Sequence, residues 1–325
     1  MHAIRFLIGA LLLALAAPAV AQPHLTSYPA KPIRFVVAFP PGGGMDIVSR
    51  AMGEKLSPRL GQPIVIENKP GAGMVLGNDA VVKSAADGYT LLVGPIGSQA
   101  ITHHMYPKRG FDVRRDLAPV ARIGYGTIAF IVPAASPAKS VKDFVAMARA
   151  SPGKLTFASS GVGGLIHLTG EMFKQAAGVD LTHIPYKGTT QLLPDLVDGR
   201  LDMALDSLPA YLPYLKAGRV RALAVASRGR SPVLPELPTM AEAGAPGVVS
   251  ATDYAMFAPA GTPAPIIALL NREVEAVLQM PDLRAKLAAQ GIEIVGGTPE
   301  SVQAELLDEI AKWGRVIAEA KVKTE

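Results

Sequence analysis

Two glycine-rich segments are the parts of this sequence best suited to hold a small ligand. The first extends from Phe39 to Asp46 and reads Phe-Pro-Pro-Gly-Gly-Gly-Met-Asp, and the second extends from Ser159 to Gly164 and reads Ser-Ser-Gly-Val-Gly-Gly. Glycines allow the backbone to turn tightly, and the first turn of a helix offers unpaired N–H groups and the positive end of the helix dipole. An anionic or carbonyl group can therefore be held at Gly42 to Met45 or at Gly161 to Gly164 without a charged side chain.

Each segment joins a predicted strand to a predicted helix. Ile33 to Phe39 is an apolar run typical of a strand buried in a parallel sheet, and apolar residues then recur with helical spacing up to Leu56. Leu155 to Ala158 and Leu165 to Ala177 repeat this order in the other half of the chain. A tight turn without a ligand is the alternative for each loop, and Asp46 can instead cap its own helix.

Few other side chains are of types suited to ligand binding, metal binding or catalysis. His167 lies one turn into the helix after the second segment, where it can either bond to a ligand or have a structural role. Asp206 follows a predicted strand and either meets a polar ligand group or caps a helix. The histidines lack metal-binding spacing, and neither a P-loop nor a GxSxG elbow occurs. The pattern GxGxxxG from Gly71 to Gly77 differs from a dinucleotide fingerprint and predicts close helix packing. We therefore expect no cofactor and no metal.

The composition limits the classes of protein to which this chain can belong. Its 325 residues suffice for two domains, and with 49% apolar and 18% charged residues it is neither disordered nor a typical membrane protein. The net charge of +5 is scattered along the chain, which argues against a nucleic-acid partner. The absence of Cys excludes disulfides, thiolate metal sites and a Cys nucleophile.

Met1 to Ala21 has the features of a secretory signal peptide. Arg5 precedes an apolar core from Phe6 to Ala17, and Ala19-Val-Ala21 has the small-x-small pattern of a cleavage site. The alternative, an N-terminal membrane anchor, requires a longer apolar run. We expect cleavage near Ala21 and a soluble, exported protein.

Strands and helices alternate in two series, which predicts two α/β lobes. The pattern breaks between Phe111 and Gly126, where we expect irregular structure and the first crossing between the lobes. Ser231 to Gly247 is also expected to be irregular, and Val248 to Ala258 to be extended and to return the chain to the first lobe. Three helices from Pro263 to Val322 are predicted to cover the first sheet. The only tryptophan, Trp313, lies on the last of them and is expected to be a poor reporter of ligand binding.

Several segments closely resemble the Bug family of periplasmic solute-binding receptors, which includes the extracytoplasmic receptor of tripartite tricarboxylate transporters. Their order and spacing agree with the family nearly from end to end of the mature chain. The matching segments are Tyr28-Pro-Ala-Lys-Pro-Ile-Arg34, Phe39-Pro-Pro-Gly-Gly43, Glu67-Asn-Lys-Pro-Gly-Ala-Gly73, Asp87-Gly-Tyr-Thr-Leu-Leu92, Ser159-Ser-Gly161, His167-Leu168, Ile184-Pro-Tyr-Lys-Gly188 and Ala258-Pro-Ala-Gly-Thr-Pro263.

The resemblance implies an α/β periplasmic binding protein fold with two lobes, each a mainly parallel sheet flanked by helices, and a ligand cleft between the lobes. We place lobe 1 at residues 22–123 and 250–325 and lobe 2 at residues 124–249. The resemblance also implies a ligand-binding set made of the two glycine loops, a neighbouring loop and an opposing strand end. These residues are Phe39, Pro40, Pro41, Gly42, Gly43, Gly44, Met45, Asp46, Gly97, Ser98, Ser159, Ser160, Gly161, Val162, Gly163, Gly164, His167 and Asp206.

The chain departs from the family's common pattern at the two loops. Members often carry Ser, Thr or Asn where Met45 stands and a hydroxyl residue at Gly164 or Leu165. These missing donors argue against a tightly held citrate-like ligand, because a buried charge needs partners. We expect one carboxylate or amide group at the glycine loops and an otherwise weakly polar ligand body, as in an aromatic or short aliphatic acid.

The leading hypothesis is a monomeric, non-catalytic periplasmic receptor that captures a small organic acid or related carbonyl compound. It would serve a tripartite tricarboxylate-type uptake system, with membrane permease subunits as partners. One alternative is a ligand-sensing subunit for a membrane signalling partner, and another is a secreted hydrolase that uses Ser160 and His167. Closure is expected at hinges near Val120 to Thr127 and Val248 to Ala255.

Overall fold

The computed structural model describes residues 28–323 of the chain. The predicted signal peptide, Met1 to Ala21, lies outside the described residues. Within residues 28–323, no helix combines the length and the apolar character that crossing a membrane requires.

The first series of elements builds one side of the molecule. Three strands form parallel pairs in the order β2, β1, β3, and each is followed by a helix, as the alternating pattern predicts. The elements are β1 (Ile33–Val37), α1 (Gly44–Leu60), β2 (Ile64–Asn68), α2 (Val75–Val82), β3 (Thr90–Gly94) and α3 (Ile96–Met105).

The second series repeats the arrangement. Strands β6, β5 and β7 form parallel pairs, and β7 and β8 pair antiparallel with β4. The elements are β4 (Leu117–Pro133), α4 (Val141–Ala150), β5 (Thr156–Ser159), α5 (Leu165–Ala177), β6 (Thr182–Pro185), α6 (Thr189–Val197), β7 (Met203–Ser207), α7 (Leu212–Lys216) and β8 (Val220–Val225).

The last part of the chain returns to the first series. Strand β9 inserts between β3 and β4 and pairs antiparallel with both, so the strand order is β2-β1-β3-β9-β4-β7-β5-β6, with β8 and β10 also paired to β4. These elements are β9 (Ala251–Pro259), α8 (Ala264–Leu278), α9 (Pro281–Ala288), β10 (Ile292–Ile294) and α10 (Pro299–Ala320).

The expectation of irregular structure up to Gly126 is wrong, because β4 is one strand from Leu117 to Pro133. The residues that suggested a break are accommodated within it: register shifts occur between Pro119 and Ala121 and between Arg122 and Gly124. A Cβ at Gly124 would lie 2.1 Å from the Glu293 carbonyl oxygen of β10. The glycine therefore marks a close approach of two strands, which the sequence pattern does not distinguish from a loop.

Strand β4 also joins the two sheets. Its first part, residues 117–127, pairs with β9 and β10, whereas residues 128–133 pair with β7 and β8. The chain therefore passes from one sheet to the other within a single strand, which agrees with a crossing near Val120 to Thr127.

Helix α10 packs against two hydrophobic cores. Val302 and Leu306 belong to a cluster with residues of β1, β3 and β9, whereas Trp313 and Val316 belong to a cluster with residues of α3, β4 and α5. Because one face of α10 is apolar along its length, the helix can bury that face against both cores. The expectation that this helix covers the first sheet is met by its N-terminal half.

The pattern from Gly71 to Gly77 does serve helix packing. A Cβ at Gly77 would lie 2.6 Å from Ala38 Cβ and 3.1 Å from the Lys69 carbonyl oxygen, so α2 lies directly against the end of β1. This close approach agrees with the interpretation of the pattern as a packing motif. It also places residues 72–74, a short 3-10 turn, beside the first glycine loop.

Candidate functional site

A cleft of about 450 Å³ lies between the two glycine loops. Its walls come from both loops, from α3, from the ends of β7 and α6, and from β9. The lining residues are Phe39, Gly44, Met45, Gly73, Met74, Pro95, Ser98, Ile101, Thr102, Tyr106, Ser160, Gly161, Val162, Gly163, Gly164, Leu165, Ile166, Thr189, Asp206, Ser207, Thr252 and Tyr254.

The first glycine loop is held by the side chain of Asp46, in the first turn of α1. Its Oδ2 accepts hydrogen bonds from the Gly42 N–H and from Arg50 Nε, both at 2.9 Å, and its Oδ1 accepts one from Asn68 Nδ2 at 3.0 Å. Burial acts to raise the pKa of Asp46, but these hydrogen bonds outweigh it and lower the pKa. Asp46 is therefore a charged anchor for the loop, and Asn68 of the Glu-Asn-Lys-Pro motif is its partner.

The second glycine loop repeats the first in detail. Gly43 and Gly164 precede α1 and α5 with the same backbone angles, φ −81° and ψ 170°, and Gly42 and Gly163 before them have φ values of 82° and 70°. The Gly163 N–H donates to His167 Nδ1 at 2.9 Å, as the Gly42 N–H does to the Asp46 carboxylate four residues later. Both helices lack a side-chain N-cap, so their first N–H groups face the cleft unsatisfied by a cap.

His167 lies behind its loop in a stack of aromatic rings. Its ring lies 3.7 Å from the ring of His183, with an angle of 9° between the planes, and His183 Nε2 lies 2.7 Å from Ser159 Oγ. Burial, followed by the neighbouring charges, lowers the pKa of both histidines to about 4. A neutral His167 keeps the Nδ1 lone pair that accepts the Gly163 N–H, and this lone pair holds the loop in place.

We expect the stability of the protein to fall as the pH is lowered from about 6.5 to about 4. The fold keeps His167 and His183 neutral, whereas the unfolded chain binds protons below its ordinary histidine pKa, so protonation favours unfolding. Urea unfolding at several pH values measures the slope. His167→Gln, which keeps an acceptor but does not titrate, should reduce it. An equal slope in His167→Gln and wild type would contradict the assignment.

Asp206 ends β7 on the opposite wall and is almost fully buried. Its oxygens accept hydrogen bonds from Thr189 Oγ1 at 2.8 Å, from Tyr211 Oη at 3.0 Å and from the Ser207 N–H at 2.7 Å. Burial raises its pKa, which these hydrogen bonds offset only in part. No Arg, Lys or His is among these contacts, so Asp206 presents a carboxyl group to the cleft without a cationic partner.

The structure brings ten of the predicted site residues to the cleft wall. These are Phe39, Gly44, Met45, Ser98, Ser160, Gly161, Val162, Gly163, Gly164 and Asp206. The other eight lie beside or behind the wall: Pro40, Pro41, Gly42, Gly43, Asp46, Gly97, Ser159 and His167. The side chains of Asp46 and His167 hold the loop backbones, and Ser159 bonds to His183, so these residues shape the loops without contacting the cavity.

Residues outside the glycine loops complete the wall and were missed by sequence reasoning. Helix α3 contributes Ile101 and Thr102, Tyr106 follows at its C-cap, and β9 contributes Thr252 and Tyr254. On β9 these two residues alternate with the buried Asp253, a period of two that indicates one cleft-facing side of a strand. The α3 residues carry no comparable signal, because an apolar helical face is ordinarily a core face.

The wall contains no Arg, Lys or His among the residues that the structure describes. Hydroxyl and backbone N–H groups supply its donors, while much of the remaining surface is apolar. Within residues 28–323, no group of three or more His, Asp or Glu side chains is placed to hold a metal ion. An anionic ligand at this wall would therefore depend on helix N-termini and hydroxyl groups.

Trp313 packs near the start of α3, a contact that its place on the last helix did not predict. It is fully buried, and a Cβ at Gly97, in the first turn of α3, would lie 3.4 Å from its Nε1 and 3.8 Å from Leu165 Cδ1. Trp313 therefore lies behind the contact between α3 and the second loop, and its surroundings change when that contact moves.

We expect a bound acid to change the emission of Trp313. A fluorescence titration with hexanoate, with hexanol as the uncharged control of equal length, measures the effect. Saturation with hexanoate, as established by calorimetry, with no change in intensity or wavelength would contradict this expectation.

The paired α/β units, the strand β4 that passes from one sheet to the other, and the cleft between matched helix N-termini define a two-lobed solute-binding protein. The chain matches the model of the tripartite tricarboxylate transporter family receptor over residues 48–322, and it belongs to this family of periplasmic solute-binding receptors.

Three proteins illustrate the similarity. The chain is 38% identical over 298 residues to the protein BugT of Bordetella pertussis, covering 91% of each chain. It is also similar to the structure of R. palustris Rpa4515 with adipate, with a TM-score of 0.80, 38% identity, and coverage of 91% of this chain and 99% of that one. The structure of MatC from Rhodopseudomonas palustris with bound malate has a TM-score of 0.77 and 32% identity, and the match covers 89% of this chain and 100% of that one. These likenesses confirm the predicted Bug-family membership and fold class.

Proposed function

We propose that this protein is a non-catalytic receptor that captures a small organic acid, or a related amide, in the cleft between its two glycine loops. The observation that carries the proposal is the repeated loop geometry: two helices begin with the same backbone angles at Gly43 and Gly164 and present uncapped N–H groups to one cavity. Two such N-termini favour a negatively charged or carbonyl group between them.

The ligand we propose has one carboxylate or amide at the loops and a weakly polar body. Met45, Met74, Ile101, Val162 and Leu165 provide apolar surface along the wall, which suits methylene or aromatic groups. The related proteins found with adipate and with malate support a carboxylate as the recognised group. A tricarboxylate is disfavoured, since each further charge needs donors of its own and the described wall offers no Arg, Lys or His.

A thermal-shift screen tests the ligand class, because a ligand that binds only the folded state raises the melting temperature. The probes are hexanoate, benzoate, hexanamide, adipate, malate and citrate at matched ionic strength. We expect shifts with one or more of the acids that carry an apolar body, and none with citrate. A shift with citrate alone would overturn the proposed ligand class.

We further propose that the chain closes around the ligand, with lobe 1 formed by residues 22–123 and 250–325 and lobe 2 by residues 124–249. The motivation is that β4 and the segment leading into β9 carry the chain between the two sheets. Solution scattering with and without a saturating acid should show a smaller radius of gyration in the complex. An unchanged radius would contradict closure.

The proposed physiological role is delivery of the acid to a membrane permease of the tripartite tricarboxylate type. Deleting the gene should abolish uptake of the radiolabelled acid identified in the thermal-shift screen, and a plasmid copy should restore it. Normal uptake in the deletion strain, together with a lost transcriptional response to the acid, would favour the sensory alternative.

The geometry gives the hydrolase alternative no support. His167 Nδ1 accepts the Gly163 N–H, and its Nε2 lies 3.8 Å from a Glu171 oxygen, so its nitrogens face away from Ser160. Ser159 does bond to His183, but its side chain is buried behind the loop. Neither serine is therefore an activated nucleophile facing the cleft.

A further inference from the structure

Tyr254 lies on the cleft floor with its hydroxyl beside the first glycine loop. The residue is 2% exposed and packs within the core cluster that contains Met45 and Val48. A Cβ at Gly44 would lie 2.8 Å from Tyr254 Oη, and a Cβ at Gly126 would lie 3.3 Å from it. Two glycines thus leave room for this hydroxyl at the first residue of α1.

The Tyr254 hydroxyl has no hydrogen-bond partner within residues 28–323. Other tyrosine hydroxyls in the interior do have one: Tyr211 Oη donates to Asp206, and Tyr28 Oη donates to the Gly88 carbonyl at 2.7 Å. The hydroxyl is not sealed inside the protein, since it is not among the fully buried polar atoms that lack a partner, and its open side faces the cavity. Tyr254 lines the cavity, so a ligand oxygen can be the missing acceptor.

The protonation state of Tyr254 suits a donor. Burial raises its pKa well above the usual value for tyrosine, and the neighbouring Asp253 carboxyl raises it further. The hydroxyl therefore keeps its proton at neutral pH and offers it to an acceptor. The hydroxyls of Ser98, Ser160 and Thr252 also line the cleft, but these residues are partly exposed and can bond to water.

We propose that Tyr254 Oη donates a hydrogen bond to the ligand oxygen held at the first turn of α1, and that it thereby selects ligands with an acceptor at that point. This inference rests on the proposed function, since it assigns a donor within the same cleft. The N–H groups of Gly44 and Met45 approach the oxygen from the helix, and the phenol approaches it from β9. A carboxylate or amide carbonyl satisfies all of these donors, whereas a ligand that ends in a methyl group leaves them unpaired.

The test is the substitution Tyr254→Phe, which keeps the ring and removes only the hydroxyl. Isothermal titration calorimetry measures the affinities for hexanoate, adipate and hexanamide. We expect each probe that wild type binds to bind about 10- to 100-fold more weakly to Tyr254→Phe, the loss expected when a charged or strongly polarised acceptor loses a donor. Tyr28→Phe is the matched control, because it removes a half-buried hydroxyl from another part of the protein and should leave the affinities unchanged.

A structural role would give a different pattern. If Tyr254→Phe binds the probes as wild type does, the inference is overturned while the proposed function stands. If wild type binds none of the three probes, the proposed function fails for this ligand class and the inference falls with it.

If Tyr254→Phe does not fold, 3-fluorotyrosine at position 254 replaces it as the test, since its hydroxyl is a stronger donor. Tighter binding of hexanoate than in wild type then supports the inference, and unchanged binding overturns it.

Discussion

Replacing Trp313 with Ala is expected to lower the free energy of unfolding by about 3–5 kcal/mol, as for other large aromatic residues removed from a core. Trp313 is fully buried in the cluster that joins α10 to α3, β4 and α5. Its Nε1 also donates to Glu309 Oε2 at 2.6 Å. The substitution removes this hydrogen bond and leaves a cavity that the surrounding helices cannot fill without moving. Urea unfolding followed by circular dichroism measures the loss.

Leu307→Ala is the control for this substitution, because Leu307 lies on the same helix with 48% of its surface exposed. It should change the free energy of unfolding by less than about 1 kcal/mol. If Trp313→Ala lowers the free energy of unfolding as little as Leu307→Ala does, Trp313 does not anchor α10 to the core.

The functional consequence of Trp313→Ala follows from its position behind Gly97. Gly97 lies in the first turn of α3, whose residues Ile101 and Thr102 line the cleft together with Tyr106 at the C-cap. A cavity behind this helix allows it to shift, so binding of the acids should weaken as well as stability. We expect Trp313→Phe, which keeps an aromatic ring, to lose less of both.

Gly124→Val is expected to lower the free energy of unfolding by about 3 kcal/mol, at the upper end of the usual cost of overpacking. A Cβ at this position would lie 2.1 Å from the Glu293 carbonyl oxygen and 3.1 Å from Ile294 Cα. Both atoms belong to the backbone of β10, which pairs with β4 at this point and cannot move aside as a flexible side chain can. Strand β10 must therefore separate from β4, with loss of its ladder hydrogen bonds.

Gly229→Val provides the comparison for this second substitution. No atom lies within 4 Å of a Cβ built at Gly229, so the larger side chain meets open space. Its free energy of unfolding should stay close to that of wild type. If Gly124→Val proves equally harmless, the close approach of β4 and β10 is not a feature of the folded protein in solution.

The effect of Gly124→Val also bears on the crossing between the sheets. Gly124 lies in the part of β4 that pairs with β9 opposite Tyr254, next to the point at which β4 passes into the second sheet. Disturbing β4 here should displace Tyr254 and weaken ligand binding. The two effects can be separated by measuring affinity at a temperature at which the variant is fully folded.

The repeated unit of strand, glycine loop and helix is determined by local sequence. Apolar runs with strand or helical periodicity form their elements almost wherever they occur, and a row of glycines between them can only be a turn. For this reason the sequence predicts a strand from Ile33 and a helix over Leu165 to Ala177, as the structure has them, with a glycine loop beside each. The resemblance in the Phe-Pro-Pro-Gly-Gly and Glu-Asn-Lys-Pro segments led to the same family as the comparison over residues 48–322.

The direction of individual side chains was decided only by the tertiary structure. Asp46 and His167 are polar residues beside a glycine loop, so the sequence favours them as ligand contacts, yet both turn back to hold the loop from behind. Tyr254 is the reverse case. It lies in an apolar strand whose sequence is typical of a core strand, but its hydroxyl reaches the cleft because Gly44 and Gly126 leave room for it. Each outcome depends on residues far apart in the chain.

Long-range contacts also explain why one long strand was misjudged and why the second core contact of one helix was not predicted. Pro119 and Gly124 resemble a loop by local composition, but pairing with β9 and β10 supplies the hydrogen bonds that keep β4 extended across its bulges. Trp313 lies on an amphipathic helix whose sequence shows which face is apolar but not which core that face meets. The local sequence pattern determines whether a segment can form a helix or a strand. Its contacts depend on the other segments that folding brings next to it, because packing energy arises between two surfaces and not within one segment.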